Sequence, residues 1–568
     1  MYVKPRFTSQ DLVPYYSDLS CYDYFLACTK RFKEDYPMLQ FKFTDHMRSE
    51  ILADVDALAY YFKEELGMQP GDAFSLFTPN TIEEIVMFFA LNKIGCIANM
   101  IHPLFPSDAM RASVEYTKSK GLLILDKFIP VHAAALSEMN VNIVVTTPVL
   151  YAAPVVKKPY VQLDAELMKA AQGKFEYTYF GDILKRNNGK TVEGLSRSGD
   201  LTAVYMNGGG TTGVSRTIML SSTALNAVAY NTLAEIYPNE YAPGTSCKIA
   251  ALPFFHAFGL CAGLLSTVFN GAKCIPMIRF EADEYIEILK RNICFEIVGV
   301  PNMFRKLLDH PQFAGEHLKN VQYAFSGGDY VPLDFLERFN SLMKQYDSTA
   351  TLMPGYGLTE CGAVDVCNLP WATKAGTVGV PLGKNRVAIF DDNKNKLPCG
   401  ELGEIGISGE SIMKGYLMPD GRLGEGVHTD EEGTKWVLTG DMGTMDEDDF
   451  VTFVARKKRL IVISGYNVFP ADIENLLEKL PFLTESCAVQ GYDENKKPIV
   501  RLYIVLSPSA DINKLEEYKK IITDLCAERL TVFSVPRDIR VIDSLPRTRL
   551  EKVDFLKLTE IRTEAHKT

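Results

Sequence analysis

The feature that most limits what this chain can fold into is an alternation that begins near residue 73, where short apolar runs trade places with helix-period segments. Asn80-Thr81-Ile82-Glu83-Glu84 opens a helix, with Thr81 as the cap and Glu84 three residues on completing a capping box. Ile82, Ile85, Val86 and Phe89 then recur at helical spacing as one apolar stripe. Gly95 follows where a left-handed C-cap belongs, and residues 96–101 resume as a strand. The pattern returns at 122–125, 141–146, 201–206, 248–252, 295–300, 321–325 and 349–353. Strand–helix alternation predicts parallel sheets covered by helices on both faces. The strands are too many for one sheet, so two packed α/β subdomains are expected within about the first 450 residues.

The texture changes after Gly376, where Gly379, Pro381, Gly383, Gly400, Gly403, Gly406, Gly409 and Gly415 punctuate short β runs and predict a small β-barrel-like or antiparallel unit. A second change comes at Arg456-Lys-Lys-Arg459, followed by an α+β pattern with Ile473, Leu476, Leu477 and Leu480 on one helix face. Residues 151–200 read as an irregular polar insertion. The 568 residues carry a net charge of −11, which argues against a nucleic-acid partner, since that would want a basic surface. The N-terminus lacks a signal-peptide pattern and no uncharged apolar window is long enough to span a bilayer, so no transmembrane segment is expected. The 12 cysteines include no C-x-x-C pair, which fits reduced thiols in a cytoplasmic protein. Ala565-His-Lys-Thr568 is not a peroxisomal address.

Chemistry concentrates in five segments. The first is Tyr205-Met-Asn-Gly208-Gly209-Gly210-Thr211-Thr212-Gly213-Val-Ser215-Arg216, between an apolar strand and a helix-like stretch. Glycines let backbone N–H groups close around phosphate oxygens, and the threonine hydroxyls add donors. It is not a Walker A loop, because Val214-Ser215 stands where Lys-Ser/Thr is required. The second is Leu252-Pro-Phe-Phe-His256-Ala-Phe-Gly259; one histidine among aromatics is, by itself, more often a core residue. The third, Gly355-Tyr356-Gly357-Leu358-Thr359-Glu360, lies just past a strand end, where parallel sheets place ligands. Glu360 suits Mg²⁺, a hard cation that takes oxygen ligands. The fourth is Thr439-Gly440-Asp441 with Arg456 beyond it, and the last is Leu545-Pro-Arg-Thr548-Arg-Leu-Glu551-Lys552. Acidic Asp446-Glu-Asp-Asp449 lacks the glycine and distal glutamate of an EF-hand and reads as a solvated turn.

In this order and at these separations the segments resemble the adenylate-forming (AMP-binding) superfamily, most closely its AMP-forming acyl-CoA synthetases, from about residue 41 to 558. The resemblance implies an ATP- and acid-binding domain over 1–457 and a mobile C-terminal domain over 458–568, turning on a hinge at Lys458. It implies that Gly208, Gly209, Gly210, Thr211, Thr212 and Gly213 grip ATP phosphates, with Arg216 at their foot. Thr359 would touch phosphate, Glu360 would ligate Mg²⁺, and Tyr356 would stack on adenine beside the Gly327-Gly328-Asp329 turn. Asp441 would bind the ribose hydroxyls with Arg456 assisting, and Lys552 would reach the α-phosphate and the carboxylate. His256 would stand between the acid site and the acceptor tunnel, toward which the Ser464-Gly465-Tyr466 loop would swing. ATP, Mg²⁺ and coenzyme A are the cofactors so implied.

The chain departs from that pattern at three places. Gly208-Gly209-Gly210 replaces Thr-Ser-Gly, Ser215-Arg216 replaces Pro-Lys, and Glu551 replaces the glycine before Lys552. Arg216 keeps a charge but offers a planar fork in place of a compact ammonium. Phe255-His256 stands where amino-acid-activating relatives place an aspartate, and neither Trp371 nor Trp436 follows the third motif as in acetate-type enzymes. A larger apolar acid is therefore expected: a medium- or long-chain fatty, aryl or steroid acid. The alternatives are acyl-adenylate transfer to a carrier protein or other acceptor, and a catalytically weakened nucleotide-binding homologue.

Overall fold

The computed structural model describes residues 15, 17–207, 216–236, 243–418, 420, 422–424, 426–463, 466–547 and 553–560, without the side chains of 162, 233–236 and 560. The expected alternation builds two nine-stranded sheets. One has as its parallel centre Thr202–Asn207, Ile97–Met100, Ala73–Phe77, Gly121–Leu125, Asn142–Thr146 and Thr178–Tyr179, in that spatial order. The other runs Leu352–Tyr356, Tyr323–Ser326, Ile293–Gly299, Ser246–Ala250, Lys273–Pro276 and Pro37–Phe41, again parallel. Strands covered on both faces must be apolar throughout, and Ala73–Phe77 and Gly121–Leu125 are buried at every position.

Chain order and sheet order part company at the edges. Pro37–Phe41 precedes the first sheet in sequence yet pairs in the second, while Gly415–Leu417 returns from far downstream to pair with Thr217–Ser221 in the first. The glycine-punctuated region forms an antiparallel unit from Arg386–Phe390, Gly403–Ser408, Lys435–Met445, His428–Thr429 and Val451–Arg456. Beyond it, a smaller C-terminal domain sets helices Pro470–Leu477 and Leu515–Arg529 against a sheet of Leu483–Tyr492, Pro498–Leu506 and Asp538–Val541. Its core takes Ile473 and Leu477 from the first helix and Val500, Leu502 and Ile504 from the central strand.

Helix Ile82–Lys93 corrects two expectations. Thr81 Oγ1 does cap it, accepting from Glu84 N at 3.3 Å, but both Glu84 carboxyl oxygens are buried without a hydrogen-bond partner, so no capping box closes. All twelve residues are buried, not one stripe, because helices Cys21–Thr29 and Arg48–Tyr60 cover the faces the sheet leaves open. Gly95 does take the left-handed turn, at φ 75°. Residues 151–200 are also more regular than expected, since Pro154–Leu167 and Phe180–Asn187 are helices and Thr178–Tyr179 extends the first sheet. All twelve cysteines are free and only Cys399 is exposed. No helix among the described residues is long and apolar enough to cross a membrane.

Candidate active site

Described residues of three of the five motif segments are linked where parallel strands of the two large sheets end, and the His256 loop follows another of those strands. Thr202–Asn207 leads into the glycine-threonine segment, and its last residue is tied back, Asn207 Nδ2 donating to Met100 O at 3.4 Å. Gly208, Gly209, Gly210, Thr211, Thr212, Gly213 and Ser215 lie outside the described residues, as do Ser464, Gly465, Thr548, Glu551 and Lys552. Arg216 is described at the exit of that segment, its guanidinium 5.0 Å from the Tyr416 ring centroid. Gly327, Gly328 and Asp329 form the turn just after strand Tyr323–Ser326, with Gly328 and Asp329 exposed.

Strand Leu352–Tyr356 delivers the third motif. The Tyr356 hydroxyl donates to Asp441 Oδ2 at 2.7 Å. Asp441 is cross-strand partner to Arg456 in the antiparallel unit, and Arg456 Nη1 stands 2.8 Å from its Oδ1. Oδ1 is otherwise buried, and that contact lacks the alignment of a hydrogen bond. Burial raises the Asp441 carboxyl above the usual range, while Arg456 and the Tyr356 hydroxyl pull it back. Burial and the Asp441 charge likewise push the Tyr356 phenol well up, so it stays a donor.

After Tyr356 the chain makes a helical turn, Thr359–Cys361, in which Thr359 is buried and Glu360 half-buried. Glu360 Oε1 accepts from the Tyr416 hydroxyl at 3.0 Å, and among the described residues Oε2 has no hydrogen-bond partner. A carboxylate with one oxygen fixed and the other without a bond among the described residues fits a hard divalent cation, which takes oxygen ligands.

His256 is exposed in the loop that follows strand Ser246–Ala250, with Nδ1 accepting from Phe258 N at 3.3 Å. That loop is clamped from the other sheet. Asn80 Nδ2 donates to Ala250 O at 3.0 Å and Leu252 O at 2.8 Å, and its Oδ1 accepts from Phe254 N at 2.8 Å. The chain then enters a π-helical stretch, Gly259–Leu265, a geometry frequent at functional sites. Gly259 is obligatory there, since a Cβ would stand 2.0 Å from Pro253 O. Lys458 sits exposed in the turn Lys457–Arg459, whose Lys457 bonds Glu404 at 2.8 Å. Tyr466, away in the C-terminal domain, stacks on Phe533 with ring centroids 4.2 Å apart.

Sequence reasoning missed Asn80, Tyr416 and Glu404, which reach the site by long-range pairing. The signal for Asn80 was present, a polar residue beside a helix cap. For Tyr416 there was none.

Comparison with known proteins is consistent with this geometry. The AMP-binding enzyme family model matches residues 27–417, and that of the AMP-binding enzyme C-terminal domain matches 472–552. A 3-[(3aS,4S,7aS)-7a-methyl-1,5-dioxo-octahydro-1H-inden-4-yl]propanoyl:CoA ligase of Rhodococcus jostii is 28% identical over 493 residues, covering 86% of this chain and 88% of that enzyme. A long-chain-fatty-acid–CoA ligase of Bacillus subtilis is 26% identical over 534 residues, 91% and 90% of the two chains. Among solved structures, ATP-bound MatB from Rhodopseudomonas palustris superposes with a TM-score of 0.76 at 20% identity, covering 96% of this chain and 100% of that one.

Proposed function

We propose, from the premise that this chain belongs to the AMP-binding enzyme family, that it activates a carboxylic acid as an acyl-adenylate with release of pyrophosphate and then forms the coenzyme A thioester. The observation that carries the reading is the convergence of Tyr356, Asp441, Arg456, Glu360 and Arg216 at the sheet ends, beside a phosphate-type segment. Named relatives act on a long-chain fatty acid and on a fused-ring propanoyl acid, which supports an apolar acid here.

The chain's own residues divide the work. Asp441 and Arg456 hold the ribose and Tyr356 offers its ring to adenine beside Gly328 and Asp329. The segment 208–213 and Arg216 take the phosphates, with Thr359 beneath them. A divalent ion, when bound, neutralises phosphate charge so that an anionic carboxylate can approach; Glu360 would hold it. Lys552 supplies a cation at the reacting carboxylate, and His256 separates the acid from the thiol channel. The assignment of 1–457 and 458–568 as bodies turning at Lys458, with Ser464, Gly465 and Tyr466 lining the thiol route, belongs to the same reading.

Pyrophosphate release measured with an acid library, with and without coenzyme A, tests it. Acid-dependent release with AMP and a thioester as products is the expected result. Adenylate that accumulates while coenzyme A stays untouched selects a carrier protein as acceptor, and nucleotide binding without turnover on any acid overturns the enzyme reading.

A further inference from the structure

Tyr416 is a site neighbour that none of the five motif segments contains, and its surroundings are built around it. Strand Gly415–Leu417 pairs antiparallel with Thr217–Ser221, Tyr416 opposite Ile218, which fixes the ring beside Arg216 two residues earlier. The preceding residues staple the same corner, as Met413 N donates to Glu360 O at 2.7 Å and Lys414 N to Met219 O at 2.9 Å. One segment thus ties the glutamate turn of the second sheet to the strand leaving the phosphate segment of the first. The hydroxyl then adds a directed bond to Glu360 Oε1 at 3.0 Å.

From this geometry we infer that Tyr416 is a positioning residue for the metal–nucleotide site: its hydroxyl locks the Glu360 carboxylate so that Oε2 faces a divalent cation, and its ring seats Arg216 at the phosphates. The inference rests on the functional reading above and deepens it. A carboxylate with three rotatable bonds behind it loses rotamer freedom when it ligates. A hydroxyl that has already fixed one oxygen removes that cost before the ion arrives. The ring does the same for the long Arg216 side chain through a cation–π contact.

Calorimetric titration of ATP, once in EDTA and once with Mn²⁺, reads the metal's contribution as the ratio of the two dissociation constants. Tyr416→Phe keeps the ring and removes only the hydroxyl. It is expected to shrink the Mn²⁺-dependent gain about tenfold, the usual scale for a group behind a ligand, while leaving the EDTA affinity within about twofold. In a Glu360→Gln background the same change is expected to add nothing, because the two act as one unit. Tyr416→Leu, which removes the ring, is expected to weaken ATP in EDTA as well. An unchanged Mn²⁺ gain in Tyr416→Phe, or effects that simply add in the double variant, overturn the inference while the functional reading stands. Failure of the wild-type protein to bind ATP under either condition overturns both.

Discussion

The Tyr356 hydroxyl donates to Asp441 Oδ2 at 2.7 Å, joining the end of a parallel strand in the second large sheet to a strand of the five-stranded antiparallel unit 85 residues downstream. The bond orients the carboxylate from one side while Arg456 stands at the other. Removing the acceptor's charge and removing the donor should therefore differ in size. Asp441→Asn is expected to raise the KM for ATP roughly ten- to a hundredfold, the scale of a charge-assisted hydrogen bond. Tyr356→Phe, which costs one hydrogen bond, is expected to raise it about two- to tenfold. Initial rates of pyrophosphate release against ATP, at saturating acid, separate the two. Equal effects would show that the pair does not act in this order.

Asn80 makes three hydrogen bonds to the backbone of the loop that carries His256. Its burial leaves water no way to replace them. Asn80→Ala is expected to destabilise the protein by about 2–4 kcal/mol, since three buried backbone groups lose a partner. Asn80→Asp keeps an acceptor for Phe254 N but sets a second carboxylate oxygen against the carbonyls of Ala250 and Leu252 in a buried site, so it should lose at least as much. Denaturant unfolding measures the cost, and a loss below about 1 kcal/mol in Asn80→Ala would refute the clamp.

Lys552 is expected to matter for adenylation alone. Lys552→Ala should slow pyrophosphate release by about 10²–10³, the scale of losing one donor at a developing charge. Thioester formation from chemically prepared acyl-adenylate should persist near its original rate. Both half-reactions slowing alike would mean the lysine is not confined to the first.

Glu83 gives a pH dependence whose sign follows from its surroundings. Buried in helix Ile82–Lys93, its carboxyl is pushed by desolvation up to about 7 from 4.5, against a hydrogen bond from Thr146 Oγ1 at 3.0 Å. The folded state favours the protonated form, so this contribution is full below pH 4.5 and is lost as pH rises through about 7. The loss is on the order of 3 kcal/mol. Asp126, raised to about 7 by burial and its contact with Asp164, adds a slope of the same sign. Glu83→Gln should flatten the fall in unfolding free energy between pH 5 and 8 without abolishing it. An unaltered slope would show that Glu83 ionises freely in the folded protein.

What the sequence determined by itself is local. A strand must be apolar where helices cover both its faces, and a helix must be capped where its first N–H groups lack partners, so Thr81, Gly95 and the run of parallel strands were readable from spacing alone. The motif at Tyr356–Glu360 was readable as a strand end, while Asp441 with Arg456 was read as a pair from the family resemblance, and the two prove to face each other across one hairpin. The tertiary structure decided everything that needed chain crossing. Helix Ile82–Lys93 is buried all round because two other helices cover it, which no amphipathic pattern encodes. Pro37–Phe41 and Gly415–Leu417 join sheets far from their own neighbours in sequence, because the open edges of Lys273–Pro276 and Thr217–Ser221 leave backbone groups that a distant strand can pair. That is how Tyr416 comes to lie against Glu360 and Arg216: its place follows from backbone pairing at a sheet edge, and a tyrosine in a short β run carries no local sign of it.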